Sequence, residues 1–492
     1  MNRWTNSLTG PSGDWIIGSL DDCWDVDGSG QLNILKGKAI MAKLIVGIVC
    51  SLAIVVSAFG QQPPKKNALV EKIVREVSAK NIKASIEKLA GFGTRHTLSD
   101  TVSETRGIGA ARRWLKSEFE RYAQASNGRM SVEFFASMVP ASQRIPTPTQ
   151  VVDVVATLKP ESGGASADRI IVISGHYDTR AGNPMDVKSD APGANDDGSG
   201  TAIVLELARI MSRYSFDATI VFIAVAGEEQ GLFGAAAWAE MAKKRNLRVE
   251  AVFNNDIVGS TVAGDGTKES RLVRLFSEAF SPLDTGSVFR QRISLGLEND
   301  GGSRSLARYI KEIGERYNPK FGVTLVYRLD RFLRGGDHRP FHERGFRAVR
   351  FSEVKENYDR QHQDIRVENG KEYGDLPKFV DYEYCTNVGR INAAAIATLA
   401  RAPQPPENVG ILTSQLGYDT VLRWAKNPES DIAGYLVRYR QTSSSVWEKS
   451  VFTADTTMTL KISKDDHLFG VQGVDKEGNA GLVITPRPVG RQ

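Results

Sequence analysis

Short runs of β-branched residues alternate with helical patterns through the middle of this 492-residue chain, and this alternation limits its fold more than any other feature. The runs cover residues 151–158, 170–174, 219–226, 249–254 and 348–351. Apolar residues recur at helical spacing at 200–214 and 232–244, between some of these runs. Strands that alternate with helices are typical of a parallel sheet covered on both faces. We therefore predict an α/β fold with a mostly parallel, mixed central sheet flanked by helices.

The segments before and after this region have different sequence patterns. Helical periodicity precedes it at 67–120, and a last helix is predicted at 386–401. We place one domain at 67–401, a Pro-rich linker at 402–408 and an all-β sandwich at 409–492. Trp424, the Gly434-Tyr435 pair and the turn at 474–479 resemble a fibronectin type III domain. A linker rich in proline is stiff and extended, so we expect it to hold this module away from the rest of the chain, free to bind a surface or a polymer.

Composition excludes several classes of protein. Hydrophobic residues make up 41% and charged residues 25% of the chain, which are ordinary values for a globular protein with a core. The 63 Lys and Arg residues nearly balance the 58 Asp and Glu residues, for a net charge of +5. A charge this small and mixed predicts no nucleic-acid partner. The chain is also too polar for a protein with many membrane spans.

One long apolar run lies near the N-terminus, at residues 44–60. Lys38 and Lys43 precede it and small residues end it, as in a secretory signal peptide. We place the signal peptide at 41–60, with translation starting at Met41, and interpret 1–40 as an upstream region from a non-native start. The protein would then be secreted or periplasmic, without stable membrane insertion after cleavage. The alternative is a membrane anchor formed by an uncleaved segment.

Four acidic or histidine-bearing segments follow predicted strands or open a predicted helix. Side chains beyond the carboxyl ends of parallel strands meet at one edge of a sheet, where active sites form. The segments centre on His176 with Asp178, on Asp196 with Asp197, on Glu228 with Glu229, and on Asp256. Two adjacent acids at a helix start also suit a helix N-cap, so the second segment has a structural alternative.

Histidine is scarce, with only 6 in the chain, so each one can be weighed. His96 and His467 lie away from acidic clusters or in the C-terminal module, and we interpret them as bystanders. His338, His342 and His362 remain as partners for the acidic segments, and the His-x-Asp pattern favours His362 over His338.

Imidazole and carboxylate side chains together are ligands for zinc, with cobalt or manganese as possible substitutes. Two histidines and three carboxylates are enough for two metal ions that share a bridging carboxylate. The adjacent Glu228 and Glu229 suit a division of labour in which one binds metal and the other moves protons.

In these segments the chain resembles the di-zinc exopeptidases that include bacterial leucyl aminopeptidase, glutamate carboxypeptidase II and the glutaminyl cyclases, over about residues 70–399. The resemblance implies a cis peptide between Asp196 and Asp197 and a place for Asp337 beside the metals. The ligand set that it implies is His176 and Asp256 for one Zn²⁺, Glu229 and His362 for the other, and Asp196 as the bridge. It implies that Glu228 is the general base and that Asp178 orients His176.

Together with the signal-peptide pattern, the resemblance implies a secreted zinc aminopeptidase that acts on peptides with a free N-terminus. Three alternatives remain open. A carboxypeptidase or a glutaminyl cyclase could have the same fold, and so could a catalytically inactive receptor or adhesion protein. The side-chain preference and the oligomeric state have no recognisable signal in the sequence.

Overall fold

The computed structural model describes residues 66–161, 163–414 and 417–490. The predicted upstream region at 1–40 and signal peptide at 41–60 lie outside these residues. Within the described ranges, no helix is long and apolar enough to cross a membrane.

Eight strands form a mixed sheet in the order β1-β2-β4-β3-β5-β8-β6-β7. The strands are β1 (Met130–Val139), β2 (Thr149–Leu158), β3 (Arg169–His176), β4 (Thr219–Val225), β5 (Arg248–Asn255), β6 (Leu272–Phe276), β7 (Gly322–Val326) and β8 (Ala348–Glu353). The four central strands, β4, β3, β5 and β8, run parallel to one another. β1, β2 and β4 pair antiparallel at one side, and β6 pairs antiparallel with β8 at the other. The predicted α/β fold with a mixed central sheet is confirmed.

Helices cover both faces of this sheet, because the central strands are apolar on both sides. They are α1 (Ala68–Arg75), α2 (Ala79–Ala90), α3 (Gly107–Ala123), α4 (Gly198–Met211), α5 (Glu228–Gly231), α6 (Phe233–Lys244), α7 (Gly286–Ser294), α8 (Gly302–Tyr317), α9 (His338–Glu343) and α10 (Tyr382–Arg401). Ile171 and Ile173 pack with α1–α4, α8 and α10, whereas Val172 packs with α6 and α9. Alternate residues of β3 therefore belong to opposite halves of the core.

Three strands of the sheet were not predicted from the sequence. β1 contains no continuous apolar run, because buried and exposed residues are interspersed along it, as is common in a strand at the edge of a sheet. β6 and β7 are only 5 residues each and contain polar or exposed positions. Strands this short show no clear alternation of apolar and polar residues, so pairing with neighbouring strands determines whether they form.

The C-terminal residues form two further sheets, of four strands in the order β15-β12-β11-β17 and of three strands in the order β14-β13-β16. Their bounds are β11 (Gly410–Leu412), β12 (Thr420–Arg423), β13 (Ile432–Gln441), β14 (Lys449–Thr453), β15 (Thr457–Leu460), β16 (His467–Asp475) and β17 (Arg487–Val489). A small hairpin, β9 (Arg366–Glu368) with β10 (Lys371–Tyr373), lies earlier in the chain. Leu422, Trp424 and Val437 are among the residues that form a separate core between the two C-terminal sheets. The likeness to a fibronectin type III domain stays a prediction.

The expectation that the linker holds these sheets away from the α/β part is wrong. Arg440 of β13 makes a buried ion pair with Asp300 at 2.8 Å, and Arg308 of α8 pairs with the same carboxylate at 2.6 Å. The Tyr309 hydroxyl donates to the Ala480 carbonyl at 3.0 Å, and Leu482 belongs to the main core. Prolines restrict the path of residues 402–408, but the charged and apolar groups on either side decide that the two parts pack together.

Candidate metal centre

His176 ends β3, so its side chain leaves the sheet at the carboxyl edge of the parallel strands. Its Nδ1 lies 3.1 Å from the Asp178 carbonyl oxygen and 3.6 Å from Asp178 Oδ1. An acceptor at Nδ1 favours the tautomer with a proton there, which leaves Nε2 free to bind a metal. The Asp178 carboxylate also accepts hydrogen bonds from the backbone N–H groups of Glu228 and Glu229, at 3.3 and 3.2 Å. Asp178 thus links the His176 strand to the glutamate pair.

The two adjacent aspartates at the start of α4 have different roles, and the peptide between them is cis, as the resemblance implied. Asp197 is the N-cap of α4 and accepts from the Gly200 N–H at 2.9 Å. The N–H of Asp196 donates to Asp375 at 2.7 Å, and its side chain extends toward His176. The N-cap alternative therefore describes Asp197, whereas Asp196 joins the histidines.

Two groups of potential ligands share Asp196. In the first group, His176 Nε2 lies 3.2 Å from Asp196 Oδ1 and 3.9 Å from Asp256 Oδ1. In the second, His362 Nε2 lies 2.9 Å from Asp196 Oδ2 and 3.0 Å from Glu229 Oε1. Within each group the ligand atoms lie within 4.8 Å of one another. Because the two oxygens of Asp196 face different groups, this carboxylate has the geometry of a bridge.

The donor set fits metal ions such as zinc, which take imidazole and carboxylate ligands. His176, Asp196 and Asp256 are buried, and buried carboxylates are costly unless a cation compensates them. Both carboxylate oxygens of the buried Asp337 have no hydrogen-bond partner among the described residues. Surplus carboxylate oxygens in a buried cluster indicate a site that is completed by positive charge.

The same surplus of negative charge raises the pKa values of two groups in the site. Burial, together with Asp256, Glu229 and Asp196, raises the pKa of Glu228 well above its ordinary value, although His176 opposes this. Burial would lower the pKa of His362, but Glu229 and Asp196 raise it to about 10. In the protein without metal, these protons partly neutralise the carboxylates. A metal ion would have to replace them.

Three backbone positions beside the ligands lie in the left-handed region, where residues other than glycine are uncommon. They are Leu232 at φ 62°, Ile257 at φ 59° and His362 at φ 54°. Ile257 directly follows Asp256, and its N–H donates to Asp197 at 3.2 Å. Strained positions of this kind persist where surrounding contacts enforce them, and they are common at functional sites.

The other histidines lie outside both ligand groups. His338 is fully buried and its Nε2 lies 2.8 Å from the Leu329 carbonyl oxygen, while burial lowers its pKa. His342 Nδ1 lies 3.5 Å from Ser303, and His467 Nδ1 lies 3.3 Å from the Ser463 carbonyl. Of the histidines left open by the sequence, the structure brings His362 to Asp196 and Glu229.

Three supporting residues were not identified from the sequence. Arg350 of β8 is fully buried, with Nη2 2.7 Å from Asp256 Oδ1. Thr97 donates to the Asp178 carboxylate at 2.9 Å, and Asp375 accepts from the backbone of the Asp196 loop. These contacts join residues far apart in the chain. Only an unexpected charged residue within an apolar strand, as at Arg350, could have drawn attention to one of them.

A cavity of about 780 Å³ opens beside the second ligand group. Glu228, Glu229 and His362 lie along it, together with Gly231, Leu232, Leu333 and Tyr358. Glu228 belongs to neither ligand group, although it is adjacent to Glu229. Its carboxylate interacts electrostatically with members of both groups. A carboxylate beside the ligands and open to a cavity is placed to exchange protons with a bound molecule.

Known proteins include relatives of this chain by sequence and a solved structure with a similar fold. The sequence model of peptidase family M28 matches residues 153–376. A probable zinc metalloprotease of Leptosphaeria maculans is 44% identical over 426 residues, which cover 86% of this chain and 98% of the relative. Another, from Pyricularia oryzae, is 43% identical over 429 residues and covers 86% of this chain and 85% of the relative. The crystal structure of Legionella LapA has a TM-score of 0.50 and 22% identity, and the match covers 68% of this chain and 77% of LapA.

Proposed function

The chain belongs to peptidase family M28 and is a zinc metallopeptidase, and we propose that it is an exported aminopeptidase that works with two zinc ions. The observation that carries this proposal is the pair of ligand groups that share Asp196, with Glu228 beside them. Export rests on the signal-peptide pattern at residues 41–60 of the sequence.

His176 and Asp256 would hold one zinc ion, Glu229 and His362 the other, and Asp196 would contact both. Bound zinc supplies a Lewis acid that polarises a carbonyl oxygen and lowers the pKa of water. The hydrogen-bond acceptors at His176 Nδ1 would keep its Nε2 directed at the metal, which is the role that we assign to Asp178.

Glu228 would act as the general base and then as the general acid. Its carboxylate would take a proton from the attacking water and deliver it to the amine of the departing peptide. Glu228 lies along the cavity and next to Glu229 without belonging to either ligand group, so its carboxylate is placed to hold the proton between these two steps.

The carboxylates along the cavity support attack at the N-terminal end of a peptide. Glu228 and Glu229 are the acidic residues that line it, and either could accept a hydrogen bond from a substrate ammonium group. A peptide with its ammonium at this end would place its first peptide bond nearest to the ligand groups.

Blocking the substrate ammonium is expected to abolish cleavage. Acetylation removes the positive charge and two of the three hydrogen-bond donors of the N-terminus, whereas amidation of the C-terminus leaves them unchanged. Release of the first and of the last residue should be followed by mass spectrometry on one peptide in its free, N-acetylated and C-amidated forms. If only the amidated peptide resists cleavage, the enzyme is a carboxypeptidase instead.

Replacing His362 by alanine is expected to remove one of the two zinc ions and most of the activity, because this imidazole completes the second ligand group. His338→Ala is the matched control, since it removes a buried histidine that contacts a backbone carbonyl. Zinc per chain should be measured on folded protein, checked by circular dichroism. Full zinc in His362→Ala together with loss in His338→Ala would transfer the role to His338.

A further inference from the structure

The cavity beside the ligand groups is surrounded by positive charge. Four arginines line it, namely Arg144, Arg180, Arg334 and Arg339. The acidic residues along the same cavity are Glu228 and Glu229, and the proposed function already assigns a role to both. The remaining charged residues of the lining are therefore all cationic.

Two of these arginines already have an acidic partner. Arg339 Nε donates to Glu343 at 2.7 Å, one turn further along its helix. Arg334 Nη1 lies 3.6 Å from Glu356 Oε2 and 3.5 Å from the Gln361 side chain. Their charge is partly compensated within the protein.

Arg144 and Arg180 differ, because neither forms an ion pair with any residue in the described ranges. Arg144 Nη1 donates to the Glu229 backbone carbonyl at 2.8 Å. Arg180 donates weakly from Nε to the Ala181 carbonyl at 3.3 Å and from Nη2 to the Gly182 carbonyl at 3.5 Å. Each guanidinium has five N–H donors, so most of them remain for a ligand.

Both arginines are positioned close to the ligand groups. The carbonyl that Arg144 contacts belongs to Glu229, a member of the second group. The loop of Arg180 is tied to the His362 loop, because the Gly182 N–H donates to Asp364 at 3.0 Å. A substrate bound at the ligand groups would therefore extend past these two guanidinium groups.

We propose that Arg144 and Arg180 bind a carboxylate of the substrate, so that the enzyme prefers acidic peptides. This inference rests on the proposed peptidase function and specifies its substrate class. A planar guanidinium can donate two parallel hydrogen bonds to one carboxylate, and such charge-assisted bonds are stronger than neutral ones. The carboxylate can belong to an acidic side chain or to the C-terminus of a short peptide.

The test compares tripeptides with a free N-terminus that differ at one carboxylate. Glu and Gln are exchanged at the first or second position, and each peptide is made with a free or an amidated C-terminus. For the wild type, we expect kcat/KM to be roughly tenfold higher for the peptide with the extra carboxylate than for its amide counterpart. A hydrogen bond to a charged group contributes about this much. The position that shows this ratio identifies the source of the carboxylate.

In the Arg144→Gln, Arg180→Gln double variant, the ratio is expected to fall close to one. Arg339→Gln is the matched control, because it also removes a cationic residue from the cavity lining, but one that is paired with Glu343. It should keep the wild-type ratio. Zinc per chain is measured for each variant, so that loss of metal is not mistaken for loss of specificity.

A ratio near one in the wild type at every position would overturn the inference, as would a ratio that the double variant retains. To separate this from failure of the aminopeptidase proposal, binding of the same peptides to zinc-loaded Glu228→Gln protein is measured by calorimetry. Tighter binding of the acidic peptides, lost in the arginine variants, supports the inference even if no N-terminal residue is released. Equal binding of acidic and amide peptides overturns it.

Discussion

Replacing Glu228 by glutamine is expected to lower kcat by about 10²–10⁴-fold while the zinc content stays normal, because a positioned general base contributes about that much. Glutamine has nearly the shape of glutamate but cannot take a proton from water. Glu228 belongs to neither group of ligand atoms, so the substitution should leave both groups intact.

The matched control is the same substitution one residue later. Glu229 Oε1 lies 3.0 Å from His362 Nε2 in the second ligand group, so Glu229→Gln should lose metal as well as activity. Zinc is measured by atomic emission and turnover on a peptide with a free N-terminus. A Glu228→Gln protein that is fully active with zinc bound would contradict the assignment of the base.

Ending the chain at Arg401 is expected to prevent stable folding, whereas a module held away by its linker could be removed without this effect. The shorter chain lacks Arg440, which leaves Asp300 with Arg308 alone in a region that becomes exposed. It also uncovers Tyr309 and lacks Leu482, a member of the main core. Uncovering apolar core surface and part of a buried ion-pair cluster removes stabilisation, and a typical protein is stable by only roughly 5–15 kcal/mol.

A single substitution tests the same contact in the full-length chain. Arg440→Gln should lower the thermal unfolding midpoint by several degrees, because it leaves Asp300 with one cation fewer. Arg423→Gln, which changes an exposed arginine of the same C-terminal sheets, is the control and should have little effect. A soluble, zinc-loaded and active chain ending at Arg401 would show that the C-terminal sheets are dispensable.

Sequence alone determined the features that depend on neighbouring residues. The largely apolar runs predicted strands β2–β5 and β8, because a segment buried on both faces is mostly apolar, although β2 and β8 also bury Asp153 and Arg350. The same reasoning put acidic segments at one edge of the sheet, since parallel strands end together. The residue types of His176 and Glu229 then pointed to metal chemistry.

The tertiary structure decided what depends on residues far apart in the chain. Spacing left His338 and His362 open, and the loop that brings His362 within 3.0 Å of Glu229 resolves which one lies in the ligand group. Pattern could not separate a helix cap from a ligand in the adjacent pair, where Asp197 caps α4 and Asp196 faces the histidines. Local propensity has no information on such contacts, because their free energy comes from pairing and burial across the whole fold.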